Sequence, residues 1–249
     1  AGEKRLRQIR GDRIGMIFQE PLTALNPSLT IGEQLMEVFR RHRPERRGDA
    51  RARAVDMLGQ VGIPNPDERM HQYPHHLSGG LRQRVVIAMA LMCEPAMIIA
   101  DEPTTALDVT IQAQILRLLV DLKDRFGLAL LLITHDLAVA SRIADRIVVM
   151  YGGQVVETAA TAEFFARPLH PYARGLLGCL PSVGAGERGR PLQVIPGTVP
   201  SLIGDLRGCT FRDRCAEAGP DCEADHIDLR KAGDHGVRCV RANLAEAAR

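Results

Sequence analysis

Residues 96–100 (Ala-Met-Ile-Ile-Ala) are wholly apolar and run straight into two adjacent carboxylates, Asp101 and Glu102, followed by Pro103. A strand apolar at every position suits burial on both faces, the condition found in parallel sheets. Parallel strands need crossover helices, so helical patterns should flank this run. Upstream, Leu81, Val85, Ala88, Met89 and Met92 recur at helical spacing. Downstream, Ile111, Ile115, Leu118, Leu119, Leu122 and Phe126 form the core face of a helix over 109–126, and Asp108 stands where an N-cap belongs. Residues 14–18 read as a strand, 31–42 and 49–61 as helices, 128–133 as a second buried strand and 137–144 as a helix. Strands at 147–150 and 155–157 flank the Gly152-Gly153 turn, and helices follow at 161–167 and 171–179. The fold class is α/β, and ligands of such sheets bind at the carboxyl ends of the strands.

Bulk properties exclude several roles. The longest apolar runs, 85–92 and 128–133, are far shorter than a membrane helix requires, so a permease or channel is excluded. The Arg-rich N-terminus lacks the apolar stretch of a secretory signal. A net charge of +2 gives no electrostatic case for nucleic acid. The Arg-rich stretch 40–53 reads as solvated surface. The only lysines are Lys4, Lys123 and Lys231, and none follows a glycine, so these residues contain no P-loop.

Several short motifs carry possible chemistry, each with a plainer reading beside it. Asp101 and Glu102 alternate on a strand end, so one carboxylate can support Mg²⁺ while the other reaches a water. The plainer reading is an acidic turn. In Leu77-Ser78-Gly79-Gly80-Leu81-Arg82-Gln83, Ser78 can cap a helix, and the glycines let backbone N–H groups approach a phosphate. A simple cap is the alternative. His135 and Gln19 each follow a strand and could reach a phosphate, Mg²⁺ or water, or could be structural.

Their order is more telling than any one of them. Gln19, then residues 77–83, then Asp101-Glu102, then Ala106-Leu107-Asp108, then His135, is a specific series. In this series the chain resembles the ATP-binding subunits of ABC transporters. The resemblance implies a P-loop NTPase (RecA-like) core with a helical signature subdomain, binding ATP and Mg²⁺. It implies that Gln19 is the Q-loop glutamine, which senses Mg²⁺ and the transmembrane partner. It places Leu77, Ser78, Gly79, Gly80 and Gln83 in the signature motif that contacts the γ-phosphate held by an opposing subunit. Asp101 would support Mg²⁺, Glu102 would be the general base for the attacking water, Asp108 would lie in the D-loop at the dimer interface, and His135 would be the switch histidine.

Residues 14–28, Arg167-Pro168-Leu169-His170-Pro171-Tyr172, Ile195-Pro196-Gly197 and the cysteine-containing end resemble the peptide/nickel importer subgroup. That resemblance implies an ATPase segment over residues 1–160 and an oligopeptide-transporter-type extension over 161–249. It also implies a head-to-tail dimer with a second ATPase subunit, two transmembrane permease subunits, an extracytoplasmic solute-binding protein acting indirectly, and a peripheral place on the cytoplasmic membrane face. Dipeptides, oligopeptides, glutathione or nickel would leave the same residues here. An ABC-type ATPase in a soluble task, and a metal-binding interaction module with an inactive nucleotide fold, are the competing readings.

Of six cysteines, Cys209, Cys215, Cys222 and Cys239 fall in one short segment with five, six and sixteen residues between them. Without a secretory signal, such a cluster points to metal before disulfides. It lacks the two-residue knuckle of common zinc sites, and its spacing is not a standard ferredoxin pattern. The resemblance favours a four-iron–four-sulfur cluster, with zinc, or unmetallated thiols or disulfides, as alternatives. Arg207, Arg212, Arg214 and Arg238 could offset thiolate charge, and His226 or His235 could replace a ligand. Cys93 and Cys179 read as packing residues.

ABC ATPases carry a P-loop and an adenine-stacking aromatic ahead of the Q-loop, and these residues contain neither. The expectation is a sequence truncated at its N-terminus, the alternative a naturally degenerate subunit. Either would bind ATP weakly alone, yet could still offer Ser78-Gly79-Gly80 to a partner's nucleotide.

Overall fold

The computed structural model describes residues 2–105, 107–180, 194–199 and 207–243. The chain forms two compact units, Ala1–His135 and Asp136–Arg249.

In the first unit the order is α1 (Glu3–Ile9), β1 (Ile14–Ile17), α2 (Pro21–Ala24), α3 (Ile31–His42), α4 (Ala50–Gln60), α5 (Pro66–Arg69), α6 (Gly79–Leu91), β2 (Met97–Asp101), α7 (Val109–Phe126) and β3 (Ala129–Ile133). The three strands form one parallel sheet in the order β1-β2-β3. The apolar run 96–100 is its central strand, as a strand apolar at every position requires. β3 corrects the expectation of a second buried strand: it is an edge, and Leu131 and Ile133 are exposed. Met16 and Phe18 share that exposure.

The other face meets the core. Ile17, Ile98 and Ala100 pack with α3, α4, α6 and α7 residues including Leu35, Met57, Leu91 and Ile115. Burying one such side chain is worth roughly 1.5–3 kcal/mol. α6 is buried on nearly every side over its second half (Val85, Val86, Ile87, Ala88, Ala90 and Leu91), which places it at the centre of this unit. Gly15 shows how tightly β1 meets it: a Cβ there would stand 2.6 Å from the Ala90 carbonyl oxygen.

Local signals fix the helix starts. Thr30 and Glu33 form a reciprocal capping box at α3. One turn further on, the buried Gln34 amide donates to the Asn26 and Leu29 carbonyls and accepts from the Asn26 N–H. These bonds pin the loop that follows Gln19. The Arg-rich stretch is only partly free surface: Arg43 pairs with Asp12 and donates to the Cys93 carbonyl, while Arg53 reaches Glu94 and the Met92 carbonyl.

In the second unit, α8 (Leu137–Ile143), β4 (Arg146–Tyr151), β5 (Gln154–Ala160), α9 (Thr161–Ala166), α10 (Pro171–Gly178), β6 (Arg230–Ala232) and β7 (His235–Val237) follow in order. The strands form an antiparallel sheet in the order β4-β5-β7-β6. The compact units therefore part between His135 and Asp136, earlier than the boundary at residue 160 read from the motifs. The physical reason is that β5 hydrogen-bonds to β7, which joins the 146–160 hairpin to the cysteine-bearing segment. Phe164, Tyr151, Ala173 and Phe211 form the core beside this sheet.

Candidate active site

The parallel register brings three of the expected residues together. Ile17 pairs with Ala100, and Gln19 and Glu102 each lie two residues beyond that pair. Asp101 pairs with Ile133, so His135 leaves the same sheet edge from β3. Gln19 Nε2 donates to Glu102 Oε2 at 3.2 Å, and His135 Nδ1 lies 3.1 Å from Glu102 Oε1.

Thr105, which the motif reading did not single out, completes the set by donating its hydroxyl to Glu102 Oε2 at 2.9 Å. Its signal was present, since a hydroxyl three residues beyond a carboxylate in a turn can fold back onto it. The bonds from His135 and Thr105 hold the Glu102 carboxyl below the usual carboxylate range. The side chain is a quarter exposed, whereas the His135 imidazole is largely in solvent.

The Glu102 backbone is unusual. Its φ is +42°, in the left-handed region that a residue with a Cβ seldom adopts. Its N–H donates to the Ile133 carbonyl at 2.9 Å, and its carbonyl accepts from the Thr105 N–H at 3.1 Å. Main-chain bonds thus hold a conformation that costs of order 1–3 kcal/mol, as happens at functional positions.

The other expected residues sit elsewhere. Asp101 closes β2 one residue before Glu102. Ser78 caps α6 by accepting from the Leu81 N–H, and Asp108 caps α7 by accepting from the Ile111 N–H at 2.9 Å. Ser78 and Gly79 are exposed, while Leu77 is buried. Gln83 is fully buried, and neither of its amide atoms has a hydrogen-bond partner. Gly80 has a packing reason beyond phosphate approach: a Cβ there would lie 2.9 Å from Ile111 Cγ2, where α6 passes α7. Gly79 would meet only Leu107, at an ordinary 3.6 Å. Ala106, in the expected D-loop, lies outside the described residues.

In the second unit Cys209, Cys215, Cys222 and Cys239 line one small pocket, and all are free thiols. The Cys209 N–H donates to the Cys222 carbonyl at 2.8 Å, which ties two of them through the main chain. Burial raises the Cys209 and Cys215 thiols above their ordinary range, against backbone hydrogen bonds at Phe211 and Glu217 that lower them. Among the described residues, no group of three or more His, Cys, Asp or Glu side chains is arranged to hold a metal ion.

Of the expected supporting residues, Arg212 borders this pocket, whereas Arg214 donates to the Ile195 and Pro196 carbonyls and Arg238 to those of Val155 and Ile227. His226 pairs with Asp228, and the buried His235 with Glu157. The histidine bordering the cysteine pocket is His170. Burial pushes its imidazole down to about 4, helped by the Arg174 charge and opposed weakly by the Arg238 backbone. Its N–H and that of Leu169 both donate to the fully buried Glu157 carboxylate, at 2.7 and 2.9 Å.

Residues 3–105 match the family model described as ABC transporter, and residues 156–222 match the C-terminal region of oligopeptide/dipeptide transporters. The chain is 53% identical over 240 residues to the probable D,D-dipeptide transport ATP-binding protein DdpD of Escherichia coli K12, covering 96% of this chain and 72% of that one. The chain belongs to the ATP-binding proteins of ABC transporters. It is also 50% identical to the dipeptide transport ATP-binding protein DppD of Bacillus subtilis, over 95% of this chain and 70% of that one. Among solved structures, the dimeric ATP-binding cassette MJ0796 in a post-hydrolysis state with ADP and Pi aligns with a TM-score of 0.55 at 32% identity. That alignment covers 65% of this chain and 68% of the cassette. Membership makes the chain an ABC-type ATPase with a P-loop NTPase architecture, for which ATP and Mg²⁺ are the general cofactors. No helix among the described residues is long and apolar enough to cross a membrane.

Proposed function

We propose that this chain is the ATP-hydrolysing subunit of an importer of dipeptides, oligopeptides or a related solute such as nickel. The convergence of Gln19, Thr105 and His135 on the Glu102 carboxylate supports this reading. Glu102 is the general base for water attacking the γ-phosphate, and His135 positions that water or the phosphate. Asp101 supports Mg²⁺, and Gln19 links the site to the permease. Ser78, Gly79 and Gly80 present the start of α6 to a nucleotide on a second ATPase subunit, with Leu77 and Gln83 shaping that helix from the core and Asp108 at the interface. Two such subunits work head-to-tail at the cytoplasmic membrane face beneath two permease subunits, and solute arrives from an extracytoplasmic binding protein. The functional boundary lies near residue 160; the oligopeptide/dipeptide match beginning at residue 156 supports it.

The test is Glu102→Gln in the assembled transporter. ATP binding persists, the closed dimer accumulates, and steady-state hydrolysis falls by about 10²-fold or more, the scale of losing a positioned base. Unchanged hydrolysis overturns the assignment.

A second reading concerns the thiols. The gathering of Cys209, Cys215, Cys222 and Cys239 around one pocket supports a thiolate-held 4Fe–4S cluster. Such a cluster would cross-link four chain positions. Iron and sulfide analysis with absorbance after anaerobic purification decides it, and zinc in place of iron overturns it.

A further inference from the structure

The cations of this chain are not spread evenly. Residues 1–53 hold twelve Lys or Arg against seven Asp or Glu, although the whole chain carries only +2. The fold gathers several of these cations where α1 meets the end of α3. Lys4 and Arg7 on α1, with Arg41 and His42 on the last turn of α3, line one cleft of about 750 Å³. A second cleft, of about 760 Å³, shares Arg41 and His42 and adds Arg40 and Arg47. Lys4 and these four arginines are all exposed.

Most carboxylates along the clefts are already matched. Glu3 pairs with Arg7 and Arg10, and Asp12 pairs with Arg43. Glu37 lines the second cleft with no ion pair among the described residues, but neither do Lys4, Arg40, Arg41 or Arg47 have one, so the surplus is positive. Guanidinium groups suit phosphates, which they grip with paired N–H bonds. Neither cleft has a Phe or Tyr in its lining, so a nucleobase finds no ring to stack on except His42. The chemistry fits phosphates presented without bases.

Position narrows the source of those phosphates. The second cleft continues to Ala24, Asn26 and Leu29, in the segment that follows Gln19. The proposed function turns that segment toward the permease, and a permease brings a lipid surface with it. Anionic headgroups attract cations held beside the bilayer, each changing binding about fivefold.

We propose that Lys4, Arg7, Arg40, Arg41 and Arg47 form a docking surface for anionic lipid headgroups beside the permease contact. The inference rests on the transporter reading above for the neighbour that these cations face. The surface adds a hold on the membrane that needs no permease and weakens as salt rises.

The test mixes the full chain, without permease or ATP, with vesicles of phosphatidylglycerol and phosphatidylcholine, or of phosphatidylcholine alone, and follows cosedimentation. Wild type should bind the anionic vesicles and leave them as salt rises. Arg40→Gln/Arg41→Gln/Arg47→Gln should weaken binding about a hundredfold, three such steps. Arg40→Lys/Arg41→Lys/Arg47→Lys keeps the charge and should bind nearly as wild type. Arg117→Gln/Arg125→Gln/Arg142→Gln removes equal charge from exposed positions elsewhere and should change binding little. Equal losses in the two glutamine triples, or equal binding of wild type to both vesicles, overturn the proposal. So does displacement by soluble glycerol phosphate at matched phosphate, which marks a small-anion site, or tighter capture of single-stranded RNA through the same arginines. A first glutamine triple that binds vesicles as wild type but no longer assembles with the permease assigns the patch to an acidic protein segment and also overturns it. If that triple does not fold, Arg41→Gln alone should weaken binding about fivefold, and no change overturns the proposal. Because no ATP enters, lost vesicle binding leaves the ATPase reading intact, and unchanged hydrolysis in Glu102→Gln leaves this surface intact.

Discussion

The Thr105 hydroxyl donates to Glu102 Oε2 at 2.9 Å, from the same turn whose main chain holds Glu102 at a φ of +42°. The turn thus sets both the backbone of the expected base and the state of its carboxylate. A base held in this way is less basic than a free one, and it gains proton affinity as its donors leave.

Replacing Thr105 tests that coupling. In Thr105→Val the Glu102 carboxyl should titrate closer to the ordinary carboxylate range, since one of the two bonds that depress it is gone. Thr105→Ser should keep the depressed value. Carboxyl ¹³C chemical shifts followed from neutral pH into acid read this directly. Identical titration in the valine variant would remove Thr105 from the site.

Glycine substitutions separate packing from ligand contact. Gly15→Ala drives a Cβ against the Ala90 carbonyl, which is backbone and cannot swing aside. A loss of about 1–3 kcal/mol, the overpacking range, is expected in denaturant unfolding. Gly79→Ala meets only an ordinary contact with Leu107, so stability should stay within about 1 kcal/mol. If Gly79 serves a partner's nucleotide, that variant should still lose hydrolysis in the assembled dimer.

His170 gives a pH signature in metal-free protein. Its folded-state value of about 4 lies below the ordinary 6.5, so the unfolded chain takes up its proton first as pH falls. Stability of the second unit is full above pH about 6.5 and declines down to about 4, by on the order of 3 kcal/mol from this group. His170→Phe should flatten that slope in chelator-treated samples unfolded at a series of pH values. A slope matching wild type would assign the acid sensitivity elsewhere.

Glu157 holds two main-chain N–H groups and His235 on one buried carboxylate. Glu157→Leu strands all three donors and should cost about 3–5 kcal/mol, the scale of breaking a buried charged pair. Glu157→Gln also loses stability, because its NH₂ opposes one of those donors. Thermal unfolding with a probe in the second unit measures both.

Much of the first unit was legible in the residues. The helix over 31–42 and the apolar strand before Asp101 follow from periodicity and capping, because a single stretch of chain carries its own signal. Gln19, Glu102 and His135 could be named from their order, but their meeting point depends on strand register, which no one of those segments encodes. Thr105 escaped notice because its role is one side-chain bond in a turn. β3 read as buried because Leu131 and Ile133 are apolar, and composition cannot say on which side of a sheet its neighbours end. The second unit was the less legible one. β6 and β7 have three residues each, too few for a period, and Glu157 gives no local hint that its partner is His235.

The partnership of β5 with β7 also dictates an order of events. Glu157 and His235 are 78 residues apart, so their bond closes a long loop, and non-local pairings of this kind form slowly. During synthesis at the ribosome, the β4–β5 hairpin emerges well before its third strand. Until β7 arrives, the hairpin carries an unpaired edge and an unsatisfied carboxylate, and that interval is when a chaperone or a neighbouring nascent chain can capture it.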